Sequence, residues 1–162
     1  MKILKSNSNN YYYSKGSGQP MVLLHGFPDC SKNYENQINY FSEFGYEVFC
    51  PFMPGYHPDD KKLPLYDPAS ISLEIINFIQ SLNLGPVTLI GHDWGASTAY
   101  GVASMEPSMV SQLITLSVPH GSKLVEAILS DGDQQRRSWY MFYFQLELAD
   151  MALPLNNYEF ID

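Results

Sequence analysis

The residues best suited to do chemistry are Gly91-His92-Asp93-Trp94-Gly95. They lie between a short β-rich run, Val87-Thr88-Leu89-Ile90, and a small-residue stretch from Ala96 to Met105. The pattern is Gly-x-nucleophile-x-Gly, a sharp strand-to-helix turn that lifts one side chain above the end of a sheet. Backbone crowds such a turn, which is why glycine flanks it, and the helix that follows favours negative charge at its start. The lifted residue here is Asp93. A carboxylate is suited to displacement at a saturated carbon bearing a leaving group, and the product is an ester on the protein. Releasing that ester takes water, a base and donors for the oxyanion. Aspartate also caps helices in glycine-rich turns, and that is the competing reading of these five residues.

A second group, His25-Gly26-Phe27-Pro28, directly follows the apolar run Met21-Val22-Leu23-Leu24. A backbone N–H from a loop after such a strand can pair with one beside the nucleophile to hold an oxyanion. The two candidate donors are the amides of Phe27 and Trp94. A third group is aromatic: Trp139, Tyr140, Phe142, Tyr143 and Phe144 fall in one stretch between Arg136 and Leu148. A helix this aromatic is either core or the wall of an apolar pocket. Cys30 and Cys50 stand far apart and outside any CxxC, so two buried, reduced thiols are expected rather than a disulfide framework or a zinc site.

The elements that must position these groups alternate along the chain. Tyr11-Tyr12-Tyr13 predicts a strand before the turn at Gly16-Ser17-Gly18. Met21 to Leu24 is a continuous apolar run, the mark of a strand buried on both faces. Tyr34, Ile38 and Phe41 recur at helical spacing, with Gly45 as terminator. Tyr46 to Cys50 predicts a strand, followed by a Pro- and Asp-rich loop to Pro68. Leu73, Ile76, Ile79 and Leu82 mark a helix face ending near Gly85-Pro86. Leu113 to Leu116 is the last predicted strand. Strand and helix alternate four times, so the fold class is α/β with a mostly parallel sheet flanked by helices. Residues 1–130 form the expected core domain and 131–162 a separate helical segment.

The chain has 162 residues, of which 45% are hydrophobic and 16% charged, which excludes wholesale disorder. Nine Lys plus Arg against 17 Asp plus Glu leave a net charge of -8. Such a chain repels phosphate backbones, and the basic pairs Lys61-Lys62 and Arg136-Arg137 both have acidic neighbours, so no nucleic-acid partner is expected. No apolar run approaches the roughly 20 residues that span a bilayer. Residues Met1 to Tyr13 lack the apolar core of a signal peptide, so no membrane partner and a cytoplasmic location are expected.

His25-Gly26-Phe27-Pro28, Gly91-His92-Asp93-Trp94-Gly95-Ala96 and Ser117-Val118-Pro119-His120 together resemble the α/β-hydrolase superfamily, in its epoxide hydrolase and haloalkane dehalogenase branch. The resemblance runs from about Tyr11 to Gln145. It implies an α/β-hydrolase fold with the start of a helical cap in 131–162, and opening of an epoxide to a diol through an ester on Asp93. Trp139-Tyr140-Met141-Phe142-Tyr143-Phe144-Gln145 resembles the family's first cap helix, whose Tyr binds the oxirane oxygen, so Tyr140 takes that role by resemblance. Trp94, Trp139 and Phe144 would line the substrate pocket. No metal and no organic cofactor is implied. The enzymatic alternative is haloalkane dehalogenation, in which Trp94 would donate its indole N–H to the halide. Many dehalogenases place Asn after His-Gly, where this chain has Phe27, and the fluoroacetate type favours Arg where this chain has Trp94. The family's Asp-x-x-Gly-Tyr-Gly segment departs here to Phe52-Met53-Pro54-Gly55-Tyr56-His57.

The resemblance also implies an acid and a histidine base on strands after the cap. None of His25, His57, His92 and His120 stands at the expected place for that base. The C-terminal strands are therefore expected to be absent, leaving a parallel edge beyond Leu113–Leu116 exposed. Two partner expectations follow: a small apolar epoxide or alkyl halide, and a complementary C-terminal half chain. The non-enzymatic alternative is an inactive fragment or half-subunit without independent turnover.

Overall fold

The computed structural model describes residues 1–60 and 62–159. Lys61, one member of a basic pair, and the last three positions of the predicted 131–162 segment lie outside the described residues. The chain divides into two compact units, Met1–Pro119 and His120–Asp162.

The first unit holds a six-stranded sheet: β1 (Leu4–Lys5), β2 (Tyr11–Gly16), β3 (Gln19–Leu24), β4 (Tyr46–Pro51), β5 (Val87–His92) and β6 (Val110–Leu116). Their order across the sheet is β1-β2-β4-β3-β5-β6. β1 and β2 are antiparallel additions at one edge, while β4, β3, β5 and β6 run parallel. The two-residue β1 carries no periodic signal and escapes sequence reading.

The helices between these strands are α1 (Glu35–Glu43), α2 (Pro68–Ser81) and α3 (Trp94–Met105). Successive strand residues point to opposite faces, and the core divides accordingly. Val22, Leu24, Phe49 and Leu89 pack with Ile75, Phe78 and Val102 from α2 and α3. Met21, Leu23, Val48 and Ile90 pack with Ile38 from α1. Both faces of the central strands are covered, which is why Met21 to Leu24 reads as unbroken apolar sequence.

Local signals set the helix ends. Asp67 caps α2 by accepting from the N–H of Ala69 at 2.9 Å and of Ser70 at 3.1 Å. Its carboxyl is held below the usual carboxylate range by the Ser70 hydroxyl and then by the same amides. Gly45, with φ +82, follows the end of α1 as expected. The end of α2 differs from expectation: the helix stops at Ser81, and Asn83 at φ 52 makes the left-handed turn rather than Gly85. Leu73 also leaves its predicted face and stands exposed, because the buried stripe runs through Ile71, Ile75, Ile76, Phe78 and Ile79.

The second unit contains α4 (Gly121–Ser130), α5 (Gly132–Arg137), α6 (Trp139–Tyr143) and α7 (Glu147–Ala152). Asp131 caps α5 through the N–H of Asp133 at 2.8 Å. The single aromatic helix expected between Arg136 and Leu148 is instead interrupted. Ser138 (φ -98, ψ 4) and Leu146 (φ -93, ψ 139) leave helical geometry on either side of α6.

Candidate active site

Asp93 stands where β5 turns into α3, with φ 53 and ψ -121. This conformation is sparsely populated for a residue with a Cβ and costs on the order of 1–3 kcal/mol. The surrounding packing must therefore hold it. A Cβ on Gly95 would lie 2.6 Å from the carbonyl carbon of Leu24 and 2.7 Å from the oxygen of His25. A Cβ on Gly26 would meet the Asp93 side chain and lie 2.8 Å from the oxygen of His92. Glycine at both places lets the ends of β3 and β5 close on each other.

The Asp93 side chain makes no cap bond to α3. Only its carbonyl serves the helix, accepting from the N–H of Ala96 at 2.9 Å and of Ser97 at 3.2 Å. The carboxylate turns the other way, and Oδ1 accepts the backbone N–H of Phe27 at 2.8 Å. The helix-cap reading of Gly91–Gly95 therefore does not describe this turn. Trp94 supplies the first N–H of α3, which has no intrahelical acceptor by its position. Its side chain is 38% exposed.

Two of the three histidines of this unit are engaged by neighbours away from Asp93. His25 is fully buried; its Nε2 accepts the N–H of Met53 at 2.9 Å and its Nδ1 faces the Gly26 carbonyl at 3.1 Å. The ring is the neutral Nδ1–H tautomer by this pattern, and burial pushes its pKa below the ordinary 6.5. His57 stacks on Tyr11 with centroids 3.7 Å apart. His92 faces a cavity of ≈ 640 Å³ with Leu23, Tyr34, Phe41, Ile114 and Leu116 among its other walls.

Two tyrosines that sequence reading did not single out as site residues stand near Asp93. Burial pushes the phenols of Tyr34 and Tyr56 up to about 12, and the Asp93 carboxylate adds to the shift in both. Both therefore stay protonated at neutral pH. A smaller cavity of ≈ 180 Å³ is walled by Met53, Pro54, Tyr56, Tyr66, Ile71 and Trp94. The signal that could have found these residues is topological: in open parallel sheets, ligands bind outside the carboxyl ends of the strands, where the segments after β3, β4 and β5 meet.

Of the residues expected at the site, Asp93, Phe27 and Trp94 come together in the first unit. Trp139, Tyr140 and Phe144 belong to the second. There Trp139 lies against Tyr143 with centroids 5.6 Å apart, and Tyr140 against Phe144 at 5.8 Å. Among the described residues no group of three His, Cys, Asp or Glu side chains converges as a metal site requires. Among them, too, no helix is long and apolar enough to cross a membrane.

Residues 19–154 match the family model for the alpha/beta hydrolase fold. The chain belongs to the alpha/beta hydrolase fold family. It is 32% identical to the AB hydrolase superfamily protein YfhM of Bacillus subtilis, over 90% of this chain and 52% of that one. It is also 32% identical to Epoxide hydrolase 4 of Mus musculus, over 98% of this chain and 45% of that protein. Among solved structures it is similar to a variant of the Bacillus megaterium epoxide hydrolase complexed with a naphthyloxy-propane-diol product. That match has a TM-score of 0.87 and 29% identity, covering 99% of this chain and 57% of the other. The chain thus spans about half the length of the curated relatives it matches.

Proposed function

We propose that this member of the alpha/beta hydrolase fold family carries the nucleophile of an epoxide hydrolase. The observation that carries the reading is the Asp93 carboxylate, turned away from its own helix and held through Oδ1 by the Phe27 N–H. Oδ2 attacks a ring carbon, the ring C–O bond breaks, and the released oxygen takes a proton to leave a hydroxyalkyl ester on Asp93. Tyr140 is the proton donor by resemblance, with Trp139 and Phe144 beside the substrate. Water then adds to the ester carbonyl, whose oxygen is Oδ1. The Phe27 and Trp94 amides are the donors for its developing charge. Diol departs and the carboxylate returns. The relatives' names support the epoxide, and the diol held by the Bacillus megaterium enzyme supports an aryl substituent.

The base that activates water is not among His25 and His57, whose rings are already engaged. The resemblance assigns this base to a histidine on a strand after the cap, in the same or a complementary chain. The parallel edge at β6, where Ile114 and Leu116 are 37% and 49% exposed, supports such a partner segment. Free Cys30 and Cys50 support a cytoplasmic location.

The test is intact-mass analysis of the full-length protein after exposure to an aryl epoxide. An adduct mapped to Asp93 and abolished by Asp93→Ala is expected. A folded protein with neither adduct nor diol formation overturns the reading. Halide release from an alkyl bromide, without epoxide opening, would favour dehalogenation instead, with the exposed Trp94 indole as halide donor.

A further inference from the structure

The N–H of Asp93 donates to the carbonyl of Leu116 at 3.3 Å, so the end of β6 holds the main chain of the residue whose side chain is pinned by Phe27. That end is itself irregular. Ser117 follows with φ 70, a conformation sparsely populated for a residue with a Cβ. Asp93 and Ser117 thus leave adjacent parallel strands through positive-φ turns. Turns of this kind keep their shape only where the surrounding structure fixes them.

One side chain of α3 reaches this place. Tyr100 stands about two helical turns beyond Asp93 and extends its phenol to β6. Its Oη lies 2.7 Å from Thr115 Oγ1 and donates to the Val118 carbonyl at 3.5 Å, the weaker of the two contacts. A carbonyl only accepts, so the phenol proton serves Val118 and the Thr115 hydroxyl donates to Tyr100. Successive side chains leave β6 on opposite faces, Thr115 toward α3 and Leu116 toward the cavity that Gln37 and Phe41 of α1 also wall. In register, Thr115 stands beside Gly91 and Leu116 beside His92, at the entrance to the Asp93 turn. The phenol therefore grips the chain on both sides of Leu116 and Ser117. Asp93, α3, Tyr100, Thr115 and Leu116 close a ring of links, and all of it is backbone except the contact between the two hydroxyls.

We infer that the Tyr100 hydroxyl is a positioning group for the nucleophile: through Thr115 and Val118 it fixes the Leu116 carbonyl that holds the Asp93 N–H, and so aims the Asp93 carboxylate. The inference rests on Asp93 being the nucleophile. Tyr100 touches no reacting atom. A hydroxyl that merely tied α3 to β6 would add to stability alone. One that sets where the Leu116 carbonyl stands also sets the direction of attack, and rate falls steeply when a reacting group is misplaced.

The experiment compares the full-length protein with Tyr100→Phe, which keeps the ring and deletes the hydroxyl, and with Thr115→Val and Thr115→Ser. It reads the thermal midpoint, hydrogen exchange at the Asp93 amide, the single-turnover rate of Asp93 ester formation from styrene oxide, and KM. Tyr100→Phe and Thr115→Val should each slow ester formation by about 10-fold, well inside the loss that a misplaced reacting group can cause. The Asp93 amide should exchange faster in both, with KM close to the parent's. Thr115→Ser keeps the donor and should restore the parent's rate. The double variant Tyr100→Phe with Thr115→Val should be no slower than either single one, because the two hydroxyls form one link. If Asp93 is labelled at the parent's rate in every variant, the inference falls while the proposed reaction stands. It falls in the same way if Thr115→Ser is as slow as Thr115→Val and rate follows the thermal midpoint alone. If styrene oxide does not label Asp93 in the parent, the reaction and this inference fall together.

Discussion

The backbone N–H of Phe27 donates to Oδ1 of Asp93 at 2.8 Å, joining positions 66 residues apart. One carboxylate oxygen is thereby pinned, and Oδ2 accepts no hydrogen bond among the described residues. An amide in place of the acid can keep the pinned oxygen while losing the nucleophile. Asn also tolerates positive φ better than most residues. Asp93→Asn should therefore fold with an unfolding midpoint close to the parent's. Epoxide turnover by the full-length protein should fall by about 10⁴-fold or more, the scale on which nucleophile removal acts. Parallel thermal melts and diol assays check this, and a variant with near-parent turnover would remove Asp93 from the reaction.

Gly95 sets how closely β3 can approach the turn. Its added Cβ would lie against backbone, 2.6 Å from the Leu24 carbonyl carbon, and backbone cannot step aside as a side-chain tip can. Gly95→Ala should destabilise by about 1–3 kcal/mol. Gly85→Ala meets nothing within 4 Å and should stay within about 0.5 kcal/mol of the parent. Urea titration of both variants gives the comparison.

His25 makes stability depend on pH in one direction. Burial lowers its folded pKa below the unfolded 6.5. Above 6.5 both states are neutral and the contribution is complete. As pH falls from 6.5 toward the lowered value, the unfolded chain binds a proton that the folded chain refuses. Stability should decline there by at most about 1.4 kcal/mol per pH unit from this group. His25→Leu should lose that component of the slope and be less stable at pH 8, because the Met53 N–H loses its buried acceptor. Equal slopes for parent and variant would assign the acid sensitivity elsewhere.

The two thiols should separate cleanly by alkylation. Burial pushes Cys50 up to about 12, and its Sγ lies 3.7 Å from the Ser31 carbonyl. Cys30 is only half-buried, which departs from the expectation that both thiols are buried. Iodoacetamide at pH 8 should modify Cys30 and spare Cys50 until the protein is unfolded. Peptide mapping before and after denaturation reads this directly.

Much of the first unit was legible from local pattern. Met21 to Leu24 and Val87 to Ile90 are apolar without alternation because both faces of β3 and β5 are covered, and this identified the parallel sheet. The Gly91–Gly95 spacing located a strand-to-helix turn because backbone contacts at Gly95 leave no room for a Cβ. The helical stripe was less secure. Ile76 and Ile79 are buried and Leu82 packs against the core as the spacing predicts, but Leu73 at the start of that row stands exposed while Ile71, Ile75 and Phe78 join the buried face. The aromatic segment misled for a similar reason: composition gave no warning that Ser138 and Leu146 break it into short helices.

From the sequence alone came the fold class, the turn that carries Asp93 and the loop that carries Phe27, since each depends on residues close together in the chain. The strand order β4-β3-β5 decided the rest. It set Phe27 against Asp93 and brought Met53, Tyr56, Tyr66 and Ile71 to the side of Trp94. Those contacts depend on which strands neighbour one another and in what register, and hydrophobic periodicity within any one strand carries neither.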